Sequence, residues 1–403
     1  MKYIVFLGDG MADELPVPGL GDRTPLMAAD CPHLDRIARE GRCGTFRSLP
    51  EGFSTSSDVA NMSVLGFDLS AHTGRGPLEA ASMGIDLRPN QIAMRCNLIT
   101  ERDGILDEYS GGHITTEEAR ELIDALNAEF RSEKLRFHAG VQYRNLLILT
   151  GDEFSDALLY EKPDDHQGDP IEANLIRAKT ALPAAEATAA MLRDLTLKSK
   201  AVLEKHPVNR RRLAEGKKPA NMIWPWSAGR KPGFAPFREK YGKTGAIVSA
   251  VDVIFGIGFS AGMEMVRVPG ATGWIDTNYE GKADAAVRTL ERVDFVYVHI
   301  EAIDEVSHLG DTALKIKTIE DFDKRLVGRV LDQLSGRRDV TYAVIPDHPV
   351  PLRLKKHTRT PVPFAIWKPG VAPDAVQTYD EEACKAGAYG LLGGDQFMKA
   401  VFA

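Results

Sequence analysis

The sequence predicts an α/β fold: a central, mostly parallel sheet flanked by helices, with a smaller α+β domain inserted into it. Three observations carry that expectation. Apolar, β-branched runs occur at YIVFLGDG (3–10), FVYVHIEAID (295–304) and VTYAVIPDH (340–348). Unbroken apolar strands mean burial on both faces, as between two layers of helices. Helical patterns such as DTALKIKTIEDFDKRLVGRVLDQL (311–334) separate them, and the three runs finish on the acids Asp9, Asp304 and Asp347. Such sheets bind ligands beyond the carboxyl ends of their strands, so these distant acids are expected to converge.

Taken in order, the first run turns at Gly8-Asp9-Gly10 after six residues. STSSDVANMSVLGFD (54–68) then sets a serine cluster immediately before a helical pattern. A serine at a helix N-terminus sits where backbone N–H groups and the helix dipole favour phosphate oxygens. From about 90 to 239 the pattern changes to IAMRCNLIT, a TTEEARELIDALNAEF helix, YRNLLILTG and a long helix around PAAEATAAMLRDLTLKSKAVLEKH. Strands and helices in that order read as an α+β insertion, leaving 1–89 and 240–403 as one discontinuous core.

At 403 residues the chain is long enough for two domains. A net charge of −7 gives no broad attraction to nucleic acid or anionic membrane, so neither is expected as a partner. No run reaches the roughly 18 apolar residues of a membrane span. The apolar N-terminus meets Asp9 too soon for a signal peptide. Cys31, Cys43, Cys96 and Cys384 are scattered, with no CxxC pair, which fits a reducing, cytoplasmic location.

Asp9, Asp304, His308, Asp347, His348 and His357 are the acids and histidines near strand ends. Divalent Mn²⁺ or Zn²⁺ accepts such mixed carboxylate and imidazole ligands. Six groups exceed one tetrahedral ion and suit two, a pair able to stabilise attacking and leaving oxygens at phosphorus. Singly, each piece is ordinary. A D-x3-H pair arises by chance, a DH at a strand end is often a cap, and His357 lies among cations in RLKKHTRT. Their joint order, D…D-x3-H…DH-x8-HT, is far rarer. A metal-bound serine hydroxyl loses its proton readily and becomes a usable nucleophile.

GDGMAD (8–13), SSDVANMSVLGFD (56–68), TGRGPLEAASMGIDL (73–87), DEVSHLGD (304–311) and PDHPVP (346–351) resemble the alkaline phosphatase superfamily. More narrowly, the chain resembles the archaeal-type cofactor-independent phosphoglycerate mutases. CNLIT (96–100), GGHITTEEA (111–119), GVQYRNLLIL (140–149), PANMIWPWSAGRKP (219–232) and GATGWIDTNY (270–279) extend the likeness over nearly the whole chain. The resemblance implies an alkaline-phosphatase-like core, an inserted substrate-binding domain that closes over a small phosphorylated metabolite, and two divalent ions. Mn²⁺ is the usual expectation, with Mg²⁺, Zn²⁺ or Co²⁺ as substitutes. By position, Asp9, Ser57, Asp347 and His348 match the ligands of one ion, and Asp304, His308 and His357 those of the other. Ser57 matches the serine that takes the phosphoryl group from 3-phosphoglycerate and returns it to the 2-hydroxyl. Arg144 matches a family arginine, a residue whose planar fork suits carboxylate or phosphate. Asp165, Asn221, Trp224, Trp226, Arg230 and Lys231 are further substrate-side candidates.

Two segments depart from the family pattern. KPDDHQGDP (162–170) stands where PPHD is common, so Asp165 keeps the acid while Asp164 takes the histidine's place and His166 falls two residues late. VDVIFGIG puts Phe255 where a lysine is common, which calls for an altered substrate or a compensating neighbour such as Lys243. These departures keep two alternatives in view, a homoserine kinase-like phosphotransferase and a metal-dependent phosphomonoesterase. The chain has no GxxxxGK[ST] loop for a nucleoside triphosphate.

Overall fold

The structure, a computed structural model, describes every residue of the chain except Phe234. It divides into two compact units, Met1–His72 with Gly233–Ala403, and Thr73–Pro232.

Among the described residues the first unit is built on one eight-stranded sheet. Its order is Glu264–Arg267, Gly245–Ser249, Phe295–Ile300, Lys2–Gly8, Val340–Pro346, Val362–Trp367, Arg42–Arg47 and Gly390–Gly393. The first five strands run parallel. Val362–Trp367 is antiparallel to both neighbours, and the last strand is parallel to Arg42–Arg47. Ile4 to Leu7, Phe295 to Val298 and Ala343 to Ile345 lie within the sheet, almost all fully buried, as their unbroken apolar pattern requires. Each such side chain removed from water contributes about 1.5–3 kcal/mol. Register sets Gly8 beside Ile300 on one side and Pro346 on the other. Asp9, Glu301 and Asp347 therefore leave the sheet side by side. Asp304 lies one step on, in the helix Ala302–Leu309 and not at the strand end. The 311–334 pattern forms one run: helix Thr312–Asp321, a π-helical stretch Phe322–Gly328, then helix Arg329–Gln333.

In the second unit, strands are ordered Ile105–Glu108, Gln91–Arg102, Arg144–Thr150, Leu135–Val141, with Met222–Gly229 also pairing Gln91–Arg102. These pairings are antiparallel. Helix Thr116–Phe130 starts on a capping box, the Thr115 hydroxyl and Glu118 carboxylate each accepting from the other's backbone N–H. It packs Leu122, Ile123 and Leu126, with Leu192 of helix Pro183–Leu203, onto Met94, Phe137, Leu147 and Leu149.

The units meet in the chain at 72/73 and 232/233, whereas the sequence pattern placed the boundaries at 89/90 and 239/240. The difference lies in helix Arg75–Ser82, which packs on the second unit's sheet. A Cβ on Gly76 would lie 2.5 Å from the carbonyl oxygen of Ala93, so only a glycine permits that approach. Nothing in TGRGPLEAASMGIDL marks the sheet that this helix covers. Among the described residues, no helix is long and apolar enough to cross a membrane.

Candidate metal centre

Asp9, Asp347 and His348 follow directly on the central strands, and all three are fully buried. Gly10 turns the chain at φ +62°. A Cβ there would meet the Asp304 backbone at 2.7 Å; without one, the Gly10 N–H donates to Asp347 Oδ1 at 3.1 Å. Asp347 Oδ1 also accepts from the His348 N–H at 2.8 Å. His348 Nε2 lies 3.5 Å from Asp9 Oδ1 and 3.3 Å from Asp347 Oδ2. Ser57, the first residue of helix Ser57–Val64, holds its Oγ 3.2 Å from the same nitrogen. Asp9, Ser57, Asp347 and His348 thus form one cluster.

The second cluster adjoins it. Asp304 and His308 occupy successive turns of one helix, with His308 Nε2 3.3 Å from Asp304 Oδ2. His357 Nε2 lies 3.4 Å from Asp304 Oδ1, and its ring stacks on His348 at 3.8 Å. The outer nitrogens fix the orientation of both rings. His308 Nδ1 donates to the Lys355 carbonyl at 2.9 Å and His357 Nδ1 to the Thr55 carbonyl at 3.0 Å. A carbonyl only accepts, so each Nδ1 carries a proton, and the two Nε2 atoms face each other 3.1 Å apart beside the Asp304 carboxylate. Two imidazole nitrogens converging on one carboxylate are an arrangement in which a cation can displace the Nε2 protons, with the outer bonds orienting its ligands.

The electrostatics agree. Burial and the neighbouring acids Asp347, Glu301 and Asp304 hold Asp9 well above the carboxylate range. Burial and Asp304 push Asp347 and Glu301 each up to about 8. Burial resists charge on Asp304 too, but hydrogen bonds from His308 and His357 hold it well below the usual range. Asp304 in turn pushes His308 up to about 9, while burial and His357 push His348 down to about 3. Asp9 Oδ1 and Glu301 Oε2 are buried without a hydrogen-bond partner. Four crowded carboxylates with orphaned oxygens need positive charge, so the residues present fit divalent cations.

Sequence reasoning missed three residues here. His299 Nε2 donates to Asp9 Oδ2 at 2.8 Å. Its Nδ1 faces Ser249 Oγ at 3.1 Å, and that oxygen accepts from the Val251 N–H. The serine proton is therefore free to bond Nδ1, leaving Nε2–H for Asp9. Glu301 groups with Asp9 and His299. Asn61 donates to the Ser57 carbonyl at 2.8 Å and to Asp347 Oδ2 at 2.9 Å, and accepts from Tyr297 Oη at 2.7 Å. A signal existed for His299 alone: a histidine inside the apolar run FVYVHI.

The remaining candidates lie in the second unit. Arg144 is exposed at the start of its strand, its guanidinium 4.4 Å over the Tyr143 ring. Asp165 is exposed on the 3₁₀ turn Pro163–His166. Asn221 is committed elsewhere, its amide donating to the Glu101 carbonyl at 2.9 Å and accepting from the Glu101 N–H at 2.7 Å. Arg230 donates to the carbonyls of Pro89 and Phe154 at 3.1 and 2.8 Å. Lys231 pairs with Asp86 at 2.5 Å. Trp224 and Trp226 are buried, their indole N–H groups donating to the Glu161 carbonyl and Asn97 Oδ1. In the first unit, Phe255 is buried, with the Arg267 guanidinium 4.4 Å over its ring. Lys243 does not stand in for a cation at the metal centre. It lies over Tyr3 and Phe402, at the start of the parallel strands and thus at the opposite end of the sheet.

The family model described as 2,3-bisphosphoglycerate-independent phosphoglycerate mutase matches residues 38–209. A Methanosarcina acetivorans protein of that name is 47% identical over 97% of this chain and 97% of its own. A Geobacter sulfurreducens protein, named as a probable member, is 46% identical over 99% of each. Among solved structures, the cofactor-independent phosphoglycerate mutase of Thermoplasma acidophilum DSM 1728 is 30% identical with a TM-score of 0.71 and covers 100% of both chains. A Pyrococcus horikoshii protein reaches 0.83 at 28% identity over 99% of this chain and 96% of that one.

Proposed function

The chain belongs to the 2,3-bisphosphoglycerate-independent phosphoglycerate mutase family, and from that premise we propose how its residues carry the reaction. It is a metal-dependent phosphoglycerate mutase, interconverting 3- and 2-phosphoglycerate, a step of glycolysis and gluconeogenesis.

In our reading Asp9, Ser57, Asp347 and His348 hold one divalent cation and Asp304, His308 and His357 a second, with Mn²⁺ preferred. When bound, the cations neutralise the phosphoryl oxygens and ease deprotonation of the Ser57 hydroxyl. Ser57 Oγ attacks phosphorus. Its bond to phosphorus forms as the bond to the 3-oxygen breaks, the serine proton is lost, and the released 3-oxygen gains one. Glycerate then turns, its 2-hydroxyl attacks the phosphoserine, and the serine oxygen is restored. The backbone N–H groups opening helix Ser57–Val64 favour the transferred group's charge. Asn61 and His299 hold Ser57, Asp347 and Asp9 in place. Arg144, whose guanidinium has no ion-pair partner among the described residues, takes the substrate's carboxylate or phosphate in this assignment. The four buried cysteines, none in a disulfide, support a cytoplasmic location.

The observation that carries this reading is the 3.2 Å approach of Ser57 Oγ to His348 Nε2, a ring that stacks on His357 of the adjoining cluster. The test is an activity panel on purified, Mn²⁺-supplemented enzyme. The expected outcome is interconversion of 3- and 2-phosphoglycerate without added bisphosphoglycerate. Turnover confined to homoserine with a nucleoside triphosphate, or release of free phosphate in every cycle, would overturn it.

A further inference from the structure

The sheet of the second unit is covered unevenly. One face lies under helices Thr116–Phe130 and Pro183–Leu203. On the other, helix Arg75–Ser82 sits over Ala93 and packs Ala80 against Leu146 and Ile148. Register sets Ala93, Ile148 and Arg136 in one row across this face. The row passes from beneath the helix to the edge strand Leu135–Val141, and there a cavity of about 450 Å³ opens.

Three guanidinium groups line it. Arg88 comes from the turn before strand Gln91–Arg102, Arg131 from the end of helix Thr116–Phe130, and Arg136 from the edge strand. Among the described residues, none of the three is paired with a carboxylate. Asp86 at the rim is already taken by Lys231 at 2.5 Å, which leaves Glu133 as the remaining acid. The wall is held in place. Gln91 accepts from the Arg88 N–H at 2.8 Å and donates to Thr150 Oγ1 at 3.0 Å. Burial and Arg136 hold His138 below the usual histidine range, so its neutral ring offers one donor and one acceptor. Ile85, Leu135 and Ile148 add an apolar floor.

Lone surface arginines are commonly just solvated. Three from separate elements around one concavity, unpaired and over an apolar floor, match an anion with a carbon skeleton. We infer that this cavity is a second binding site, for a small phosphate monoester or similar dianion. It is not the Arg144 site. Ile148 and Thr150 lie four and six residues along the same strand from Arg144, about 13–20 Å away at about 3.3 Å per residue.

The test uses the full chain, Mg²⁺-loaded and isoleucine-methyl-labelled, titrated with inorganic phosphate and followed by NMR. Saturable shifts are expected at Ile85 and Ile148. In the Arg88→Gln/Arg136→Gln double variant their midpoint moves at least about tenfold weaker, since each arginine carries charge-assisted bonds. Ile303, beside Asp304, reports phosphate at the metal centre and keeps its midpoint. Both substituted residues are exposed, and the remaining methyl spectrum checks that the fold is intact. Absence of a saturable shift at Ile85 and Ile148, or an unchanged midpoint in the double variant, overturns the proposal.

Discussion

Asn61 has no ionisable group and lies within a helix, yet it joins the Ser57 backbone, the Asp347 carboxylate and the Tyr297 hydroxyl. Nothing in SSDVANMSV marks it, because its role depends on strands more than two hundred residues away. The acids and histidines were legible for the opposite reason. Asp9, Asp347 and His348 end apolar runs, and strand direction alone brings such ends together. His299 makes the distinction testable. It touches Asp9 but is charge-neutral, burial and Lys282 holding it well below the histidine range. His299→Ala is expected to weaken metal affinity by about 10- to 100-fold, as losing an outer-sphere partner does. His299→Asn, which keeps a donor, restores part of it. The check is the metal concentration at half-maximal activity. Equal midpoints in wild type and His299→Ala would mean that Asp9 needs no such support.

At the scale of elements, helix Thr312–Asp321 does more than cover the sheet. Lys315 is fully buried and donates to the carbonyls of Ala12 and Val350 at 3.2 and 3.0 Å and to Asp13 Oδ2 at 3.0 Å. Asp13 also accepts from the Leu352 N–H at 3.2 Å. The lysine therefore ties together the two loops that carry Asp9 and Asp347. In the sequence it is one cation in an amphipathic helix, indistinguishable from the exposed Lys317. Lys315→Met would strand the Asp13 carboxylate, a loss of about 3–5 kcal/mol. Denaturant unfolding should show it as a lower midpoint at unchanged slope; an unaltered midpoint would mean that Asp13 is satisfied without the lysine. The same blindness to partners explains helix Arg75–Ser82, which the sequence pattern leaves in the first unit and the structure packs in the second.

Across the whole molecule, a chain of net charge −7 handles an anionic substrate, so cationic charge must be local. The first unit gathers four acids where cations would sit, and the second exposes arginines. The parallel order of the three central strands, Lys2–Gly8, Phe295–Ile300 and Val340–Pro346, was readable from their unbroken apolar composition. The antiparallel direction of Val362–Trp367 was not, since VPFAIW is as apolar and nearly as buried as the parallel strands beside it. If the cations neutralise buried carboxylates, their removal destabilises the fold as well as stopping turnover. EDTA-dialysed enzyme should be inactive and melt at lower temperature. Mn²⁺ at 100 times its dissociation constant should restore about 2.7 kcal/mol. Identical melting with and without metal would contradict this.

The most direct test follows the phosphoryl group itself. Enzyme mixed with isotopically labelled 3-phosphoglycerate, quenched in acid within a turnover and digested, should yield label on the peptide containing Ser57. The Ser57→Ala variant should yield none and fail to turn over. Label absent from the wild-type peptide during active turnover, or sustained mutase activity in Ser57→Ala, would contradict the account.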